Sequence, residues 1–148
     1  MEKKYKLTEE TLEIDGHVLN RIIALRDFGE VKKGDIGGWI EGQENLSHDD
    51  DCWVCGEAKV YGNAEVYGNA IVCGEAKVGK KSDYIVFKNW WSSGRYFTWT
   101  RSNDMWSVGC FYGTGEELVK KAYNDSEEKG HEYEKIVKYV ESIKSKLK

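Results

Sequence analysis

The sequence predicts a mainly β chain built round a short parallel coil, with a β cap before it and a strand-plus-two-helix extension after it. Three observations predict this. Valines recur every six residues at Val54, Val60, Val66, Val72 and Val78. Glycines follow two positions later (Gly56, Gly62, Gly68, Gly74) and alanines four positions later (Ala58, Ala64, Ala70, Ala76). The string Val54-Cys55-Gly56-Glu57-Ala58-Lys59-Val60 returns letter for letter at Val72 to Val78, so three hexads make one larger repeat. After Val78 the period stops, and aromatic strand patterns and then helical spacing take over.

Each position of the V-x-G-x-A-x unit has a physical task. Valine fills the inside of a short flat side, alanine fits a crowded corner, and glycine takes the backbone conformation of a tight turn. Three hexads per repeat suit a triangular coil with one hexad per side. This pattern resembles the hexapeptide-repeat family, and the resemblance implies a left-handed parallel β-helix over the middle of the chain. The expected divisions are an N-terminal β cap over 1–40, the coil over 41–82, and the aromatic strands with two helices over 83–148. Ile40 and Leu46 begin an earlier coil, and the phase slip before Val54 makes 47–52 bulge outward. Cys55 and Cys73 then stack on successive coils, about 4.8 Å apart by the usual strand spacing. A disulfide is geometrically possible there, but reduced thiols are expected in a cytosolic chain.

So short a stack is marginal alone, because each coil buries its inner face only against its neighbours. Tyr61, Tyr67 and Ile71 are predicted to face outward. Apolar outward residues fit side-to-side association, and proteins of the family it resembles are commonly trimers. A homo-oligomer is therefore expected, with a trimer favoured.

In the N-terminal cap, Tyr5–Leu7 and Thr11–Ile14 read as strands leading to Asp15-Gly16, a two-residue hairpin signal, and 18–26 reads as the returning strand. After the coil, 84–88, 96–101 and 105–112 read as three strands, with a turn at Ser102-Asn103-Asp104. Thr114 and Glu117 form a capping box that starts a helix over 115–123. Tyr133, Ile136, Val137, Val140, Ile143 and Leu147 place a second helix over 131–146. Asp27-Phe28-Gly29, Gly37-Gly38-Trp39-Ile40 and the run from Met105-Trp106 to Gly109-Cys110-Phe111 resemble small hexapeptide-repeat proteins of bacteriophages and prophages.

Composition narrows the function classes. A net charge of −4 argues against non-specific nucleic-acid binding. Without an apolar run long enough to span a bilayer, or an apolar stretch behind the charged N-terminus, no membrane contact is expected. The location is expected to be cytoplasmic, or the host cytoplasm if the chain is phage-encoded. Cys52 and Cys55 form one CxxC without a second pair or a histidine pair, so no metal and no cofactor are expected.

Acyl transfer from coenzyme A, the best-known activity on such a coil, needs a general base, and His48 beside Asp49-Asp50-Asp51 is the candidate. Three clustered histidines for zinc are absent from the sequence, and the aspartate run lacks the alternation of a calcium loop. The richer constellation is aromatic. Trp90, Trp91, Trp99 and Trp106 fall close together with Arg95 and Arg101 between them, and Gly113, Thr114, Gly115 and Lys120 follow at a helix start. Aromatics stack on bases, arginines grip phosphate, and free amides at a helix start receive anions. These ten residues are the expected ligand site. The bland alternative is that strand aromatics are core and Gly-Thr-Gly serves the cap.

The reading is a non-catalytic oligomeric binding protein. The phage resemblance implies an accessory role against host defence, by sequestering a nucleotide-like ligand or inhibiting a host defence protein. A hexapeptide-repeat acyltransferase is the alternative and a structural scaffold the third. On the leading reading Trp99→Ala or Arg101→Ala abolishes binding and leaves the oligomer intact; on the second, His48→Ala abolishes activity.

Overall fold

The computed structural model describes residues 3–91, 93–109 and 111–147. Cys110, which falls in one expected strand, lies outside them. The strands are β1 (Tyr5–Ile14), β2 (His17–Ala24), β3 (Ile36–Ile40), β4 (Trp53–Val54), β5 (Lys59–Val60), β6 (Ile71–Val72), β7 (Lys77–Val78), β8 (Tyr84–Lys88), β9 (Tyr96–Thr100), β10 (Met105–Val108) and β11 (Phe111–Gly113). The helices are α1 (Gly115–Asp125) and α2 (Glu127–Ile143). Among the described residues, no helix is long and apolar enough to cross a membrane.

The expected left-handed parallel β-helix is not the architecture found. The largest sheet, in the order β1-β2-β3-β5-β7, is mixed, because an antiparallel β1-β2-β3 unit continues into parallel β3-β5-β7. The four-stranded sheet β11-β10-β9-β8 is antiparallel throughout. Parallel pairing is confined to short ladders and one bridge. β4 pairs with β6, and β5 with β7, eighteen residues apart; Leu46 bridges Val66 across the phase slip. The physical reason lies in the hexad itself. Gly56, Gly62, Gly68 and Gly74 all stand at φ between 63° and 70°, so the chain turns just after each valine and each strand is two residues long. The long ladders come from the flanks.

The period does predict burial. The five repeat valines and the four repeat alanines are 0–1% exposed and form one core with Tyr5, Ile22, Ile40, Leu46 and Trp53. Two outward residues that predicted self-association are engaged within the chain. Ile71 packs against this core and its N–H donates to Thr98 Oγ1 (3.0 Å), while the Tyr61 ring lies against His17 (5.0 Å). Tyr67 stays 63% exposed.

The hairpin forms at Asp15-Gly16, both in the left-handed region (φ 49° and 83°). The two expected strands before it are one strand, β1, with a register irregularity between Leu7 and Thr11. Gly37 and Gly38 set the distance between β3 and the repeat segment. A Cβ at Gly37 would meet Ile22, Trp53 and the Val54 carbonyl at 2.6–2.7 Å, and one at Gly38 the Ala58 carbonyl at 2.6 Å.

Tyr5 ties the first strand to the loop before the repeat. It is fully buried, and its hydroxyl donates to the Leu46 carbonyl at 2.5 Å. Burial pushes its phenol well above the ordinary range. Tyr5→Phe leaves that carbonyl without its donor, and a loss of about 1–3 kcal/mol in urea-denaturation stability is expected.

The C-terminal sheet is a middle layer. Phe97 and Trp99 of β9 face α1 and α2, and pack with Leu118, Ala122, Tyr133 and Val140. Among the hydrogen bonds that dock this unit onto the repeat segment are Ile71 N–H to Thr98 Oγ1, Lys77 N–H to Ser102 Oγ (2.7 Å), and Tyr84 O–H to the Glu65 carbonyl (2.6 Å). α2 begins four residues before the expected His131. Ser126 caps it by accepting from Lys129 N–H (3.1 Å), and Gly130 lies inside it because any side chain there would strike the Tyr123 ring.

Candidate functional site

The ten residues expected to form one aromatic site are spread over the C-terminal unit. Trp99 and Trp106 are each 1% exposed and belong to the core between sheet and helices. Trp99 Nε1 donates to Asp104 Oδ1 (2.8 Å). Trp91 is half-buried against the edge of Tyr133, whereas Trp90 is 80% exposed. Arg101 is committed to structure, paired with Asp83 (3.7 Å) and donating to the Leu147 carbonyl (2.8 Å).

At the start of α1 the capping box takes two of the amides. Glu117 N–H donates to Thr114 Oγ1 (3.1 Å) and Thr114 N–H to Glu117 Oε1 (2.9 Å). Gly113 is buried in β11, and Gly115 sits so close to Val137 and Trp106 that a Cβ would collide with Val137. Lys120 is exposed on α1. Trp99 and Arg101 share one small cleft, Trp90 and Trp91 line another, and Arg95 reaches a third.

That third cleft is the most developed. It is a groove of about 550 Å³ where three parts of the chain converge. The turn over 29–36 forms one wall, Trp53, Cys55 and Ile71 of the repeat segment the floor, and Arg95, Tyr96 and Ser107 of the C-terminal sheet the other wall. The volume suits a drug-sized ligand, and the lining is mostly apolar with a few convergent polar groups. Trp53 is held by Phe28, whose ring meets it edge-on at 5.2 Å. Glu30, Asp35 and Asp51 stand at the rim against the one guanidinium of Arg95, and all four are exposed. Asp35 Oδ2 accepts from Lys32 N–H (2.9 Å). Among the described residues, none of these four forms an ion pair.

Of these lining residues sequence reasoning had singled out Arg95 for the site. Trp53 and Ile71 each stand one place before an inward valine, and that offset was their one available signal.

Cys55 is bonded to Cys73, with Cα atoms 4.6 Å apart, where reduced thiols were expected. The eighteen-residue ladder brings the two side by side. The CxxC is therefore split, since Cys52 is a buried free thiol that burial pushes up in pKa. Among the described residues no group of three or more His, Cys, Asp or Glu side chains is arranged to hold a metal ion.

His48 is structural in its surroundings. Its ring stacks on Tyr5 at 4.1 Å, Nδ1 accepts from Lys4 N–H (3.1 Å), and Nε2 faces Gln43 Oε1 (2.8 Å). Burial first, and then the Lys4 charge, hold its pKa below the ordinary imidazole value. With Nδ1 accepting, Nε2 carries the proton and donates to Gln43, so neither nitrogen is free to take one. The neighbouring aspartate run wraps a lysine. Lys4 Nζ donates to the Cys52 carbonyl (2.6 Å) and to those of Asp50 (3.3 Å) and Asp49 (3.4 Å).

The fold and site define a mainly β protein with a preformed groove between a repeat segment and an antiparallel sheet. No protein-family model matches the chain. A protein of Escherichia coli (strain K12) described as the uncharacterized acetyltransferase YdcK is 37% identical over an alignment of 60 residues, and the match covers 35% of this chain. The match spans 18% of that protein's length.

Proposed function

We propose that this is a non-catalytic binding protein whose ligand occupies the groove between the repeat segment and the C-terminal sheet. The observation that carries this reading is the groove itself: about 550 Å³, walled by three segments far apart in sequence and floored by Trp53 and Ile71. No histidine is among its lining residues, and its one cysteine is in a disulfide. The lining therefore offers no imidazole and no free thiol to transform what it holds. A sequestering role needs no more than that. Self-association through the exposed Tyr67 face remains part of this proposal.

A fragment screen read by amide chemical shifts tests the reading. Binders are expected to perturb Ile36, Asn69, Arg95 and Tyr96. Ile36→Trp, at a position 55% exposed on the groove wall, is expected to abolish those shifts while the melting temperature stays within about 2 °C, as surface substitutions usually do. Shifts confined to the Trp90–Trp91 cleft would overturn it.

The similarity to an acetyltransferase favours a second reading, acyl transfer. It requires the purified protein to move the acetyl group of acetyl-CoA onto an added amine or alcohol, breaking the thioester and releasing the CoA thiol faster than the same mixture does without protein.

A further inference from the structure

We propose that the groove selects a small organic cation: a flat apolar body ending in an amine or guanidine. The inference rests on the groove being the binding site and adds the chemical class of what binds there.

Charge complementarity carries it. Three carboxylates, those of Glu30, Asp35 and Asp51, meet one guanidinium, that of Arg95, around a mostly apolar cavity whose other polar groups, among them Asn69 and Ser107, are neutral. Two of the carboxylates are on neighbouring chain segments, because Asp51 packs against Gly29, the residue before Glu30; a Cβ at Gly29 would lie 3.3 Å from Asp51 Cβ. None of the three is neutralised by an ion pair among the described residues. Of the nearby cations, Lys4 feels the charge of Asp51 but forms no ion pair with it among the described residues. Lys4 donates to main-chain carbonyls, and Arg26 lies over the Phe28 ring at 5.7 Å and donates to the His48 carbonyl. Lys32 and Lys33, on the same turn as Glu30, are exposed.

The aromatic walls agree with the charge. Tyr96, half-buried on the wall, suits an ammonium or guanidinium head as readily as an apolar body, while Trp53, 3% exposed, closes the floor. A polyphosphate entering the same space would meet three negative charges and one positive. The nucleotide-like ligand expected from the aromatic sequence is therefore disfavoured at this site. Arg95 is placed to receive a hydroxyl, carbonyl or other acceptor carried by the cation.

Calorimetry with three probes of one shape tests the proposal: tryptamine (cationic), tryptophol (neutral) and indole-3-acetate (anionic). Tryptamine is expected to bind at least tenfold tighter than tryptophol, and indole-3-acetate more weakly still. The double substitution Asp35→Asn and Asp51→Asn is expected to bring tryptamine to the level of tryptophol and leave tryptophol unchanged. Raising the salt concentration should weaken tryptamine alone.

Tightest binding by indole-3-acetate, equal binding of all three, or no binding of any while fragments still bind the groove, would each overturn the cation assignment and leave the groove standing. Failure of every probe and every fragment at the groove would overturn the binding reading itself.

Discussion

Trp99→Ala is expected to lower the stability of the protein by about 3–5 kcal/mol, the usual cost of emptying a buried tryptophan site. The ring is 1% exposed between Ile85 and Trp106, its cross-strand neighbours, and packs into the core beneath the helices. Its indole N–H is the donor to Asp104 Oδ1, and Lys144, which itself pairs with Asp104 (2.8 Å), lies 6.0 Å from its ring. Removing the indole thus opens a cavity and unties the turn that precedes β10. Urea denaturation followed by near-ultraviolet circular dichroism reads the loss. Trp90→Ala is the control: at 80% exposure a change within about 0.5 kcal/mol is expected. If Trp99→Ala matched Trp90→Ala, the sheet-helix core described above would be wrong. The sequence alone led to a different expectation, that Trp99→Ala abolishes binding and leaves the oligomer intact. Burial reverses it.

Reduction of the Cys55–Cys73 bond is expected to have the next largest effect. The two cysteines are eighteen residues apart, and a cross-link closing a loop near that length stabilises by about 3 kcal/mol, chiefly by restricting the unfolded chain. For a chain of this size that is a fall in melting temperature on the order of 10 °C. Cys73→Ser should show the same fall without reductant and no further fall with it. An equal melting temperature with and without reductant would mean that the bond adds nothing in solution. Because Cys55 also lies on the groove floor, both measurements belong beside the ligand titrations.

Much of the local structure was legible in residues whose role is decided within a few positions. Asp15-Gly16 takes the positive φ values that a two-residue hairpin needs, and Thr114 with Glu117 caps α1 as the spacing requires. Helix α2 starts earlier than its apolar stripe suggests, since its cap, Ser126, lies outside the stripe. The candidate site was much less legible. Trp99, Trp106 and Arg101 have the residue types of a ligand pocket, and the same types build a core and anchor a chain end. Composition does not separate the two uses; burial and partners do.

By itself the sequence determined which side chains of the repeat turn inward. Val54 to Val78 at six-residue steps, with the alanines, are buried as the period demands, because periodicity reports which side of its own element a residue occupies. It could not determine what covers the other side. Only the tertiary structure decided that β3 of the hairpin unit extends the parallel ladder into a mixed sheet, that β9 lies over Ile71, and that the turn over 29–36, Trp53, Arg95 and Tyr96 enclose one groove. Those contacts join segments far apart in the chain. They depend on how whole faces fit and which polar groups find partners, and no local pattern encodes that fit.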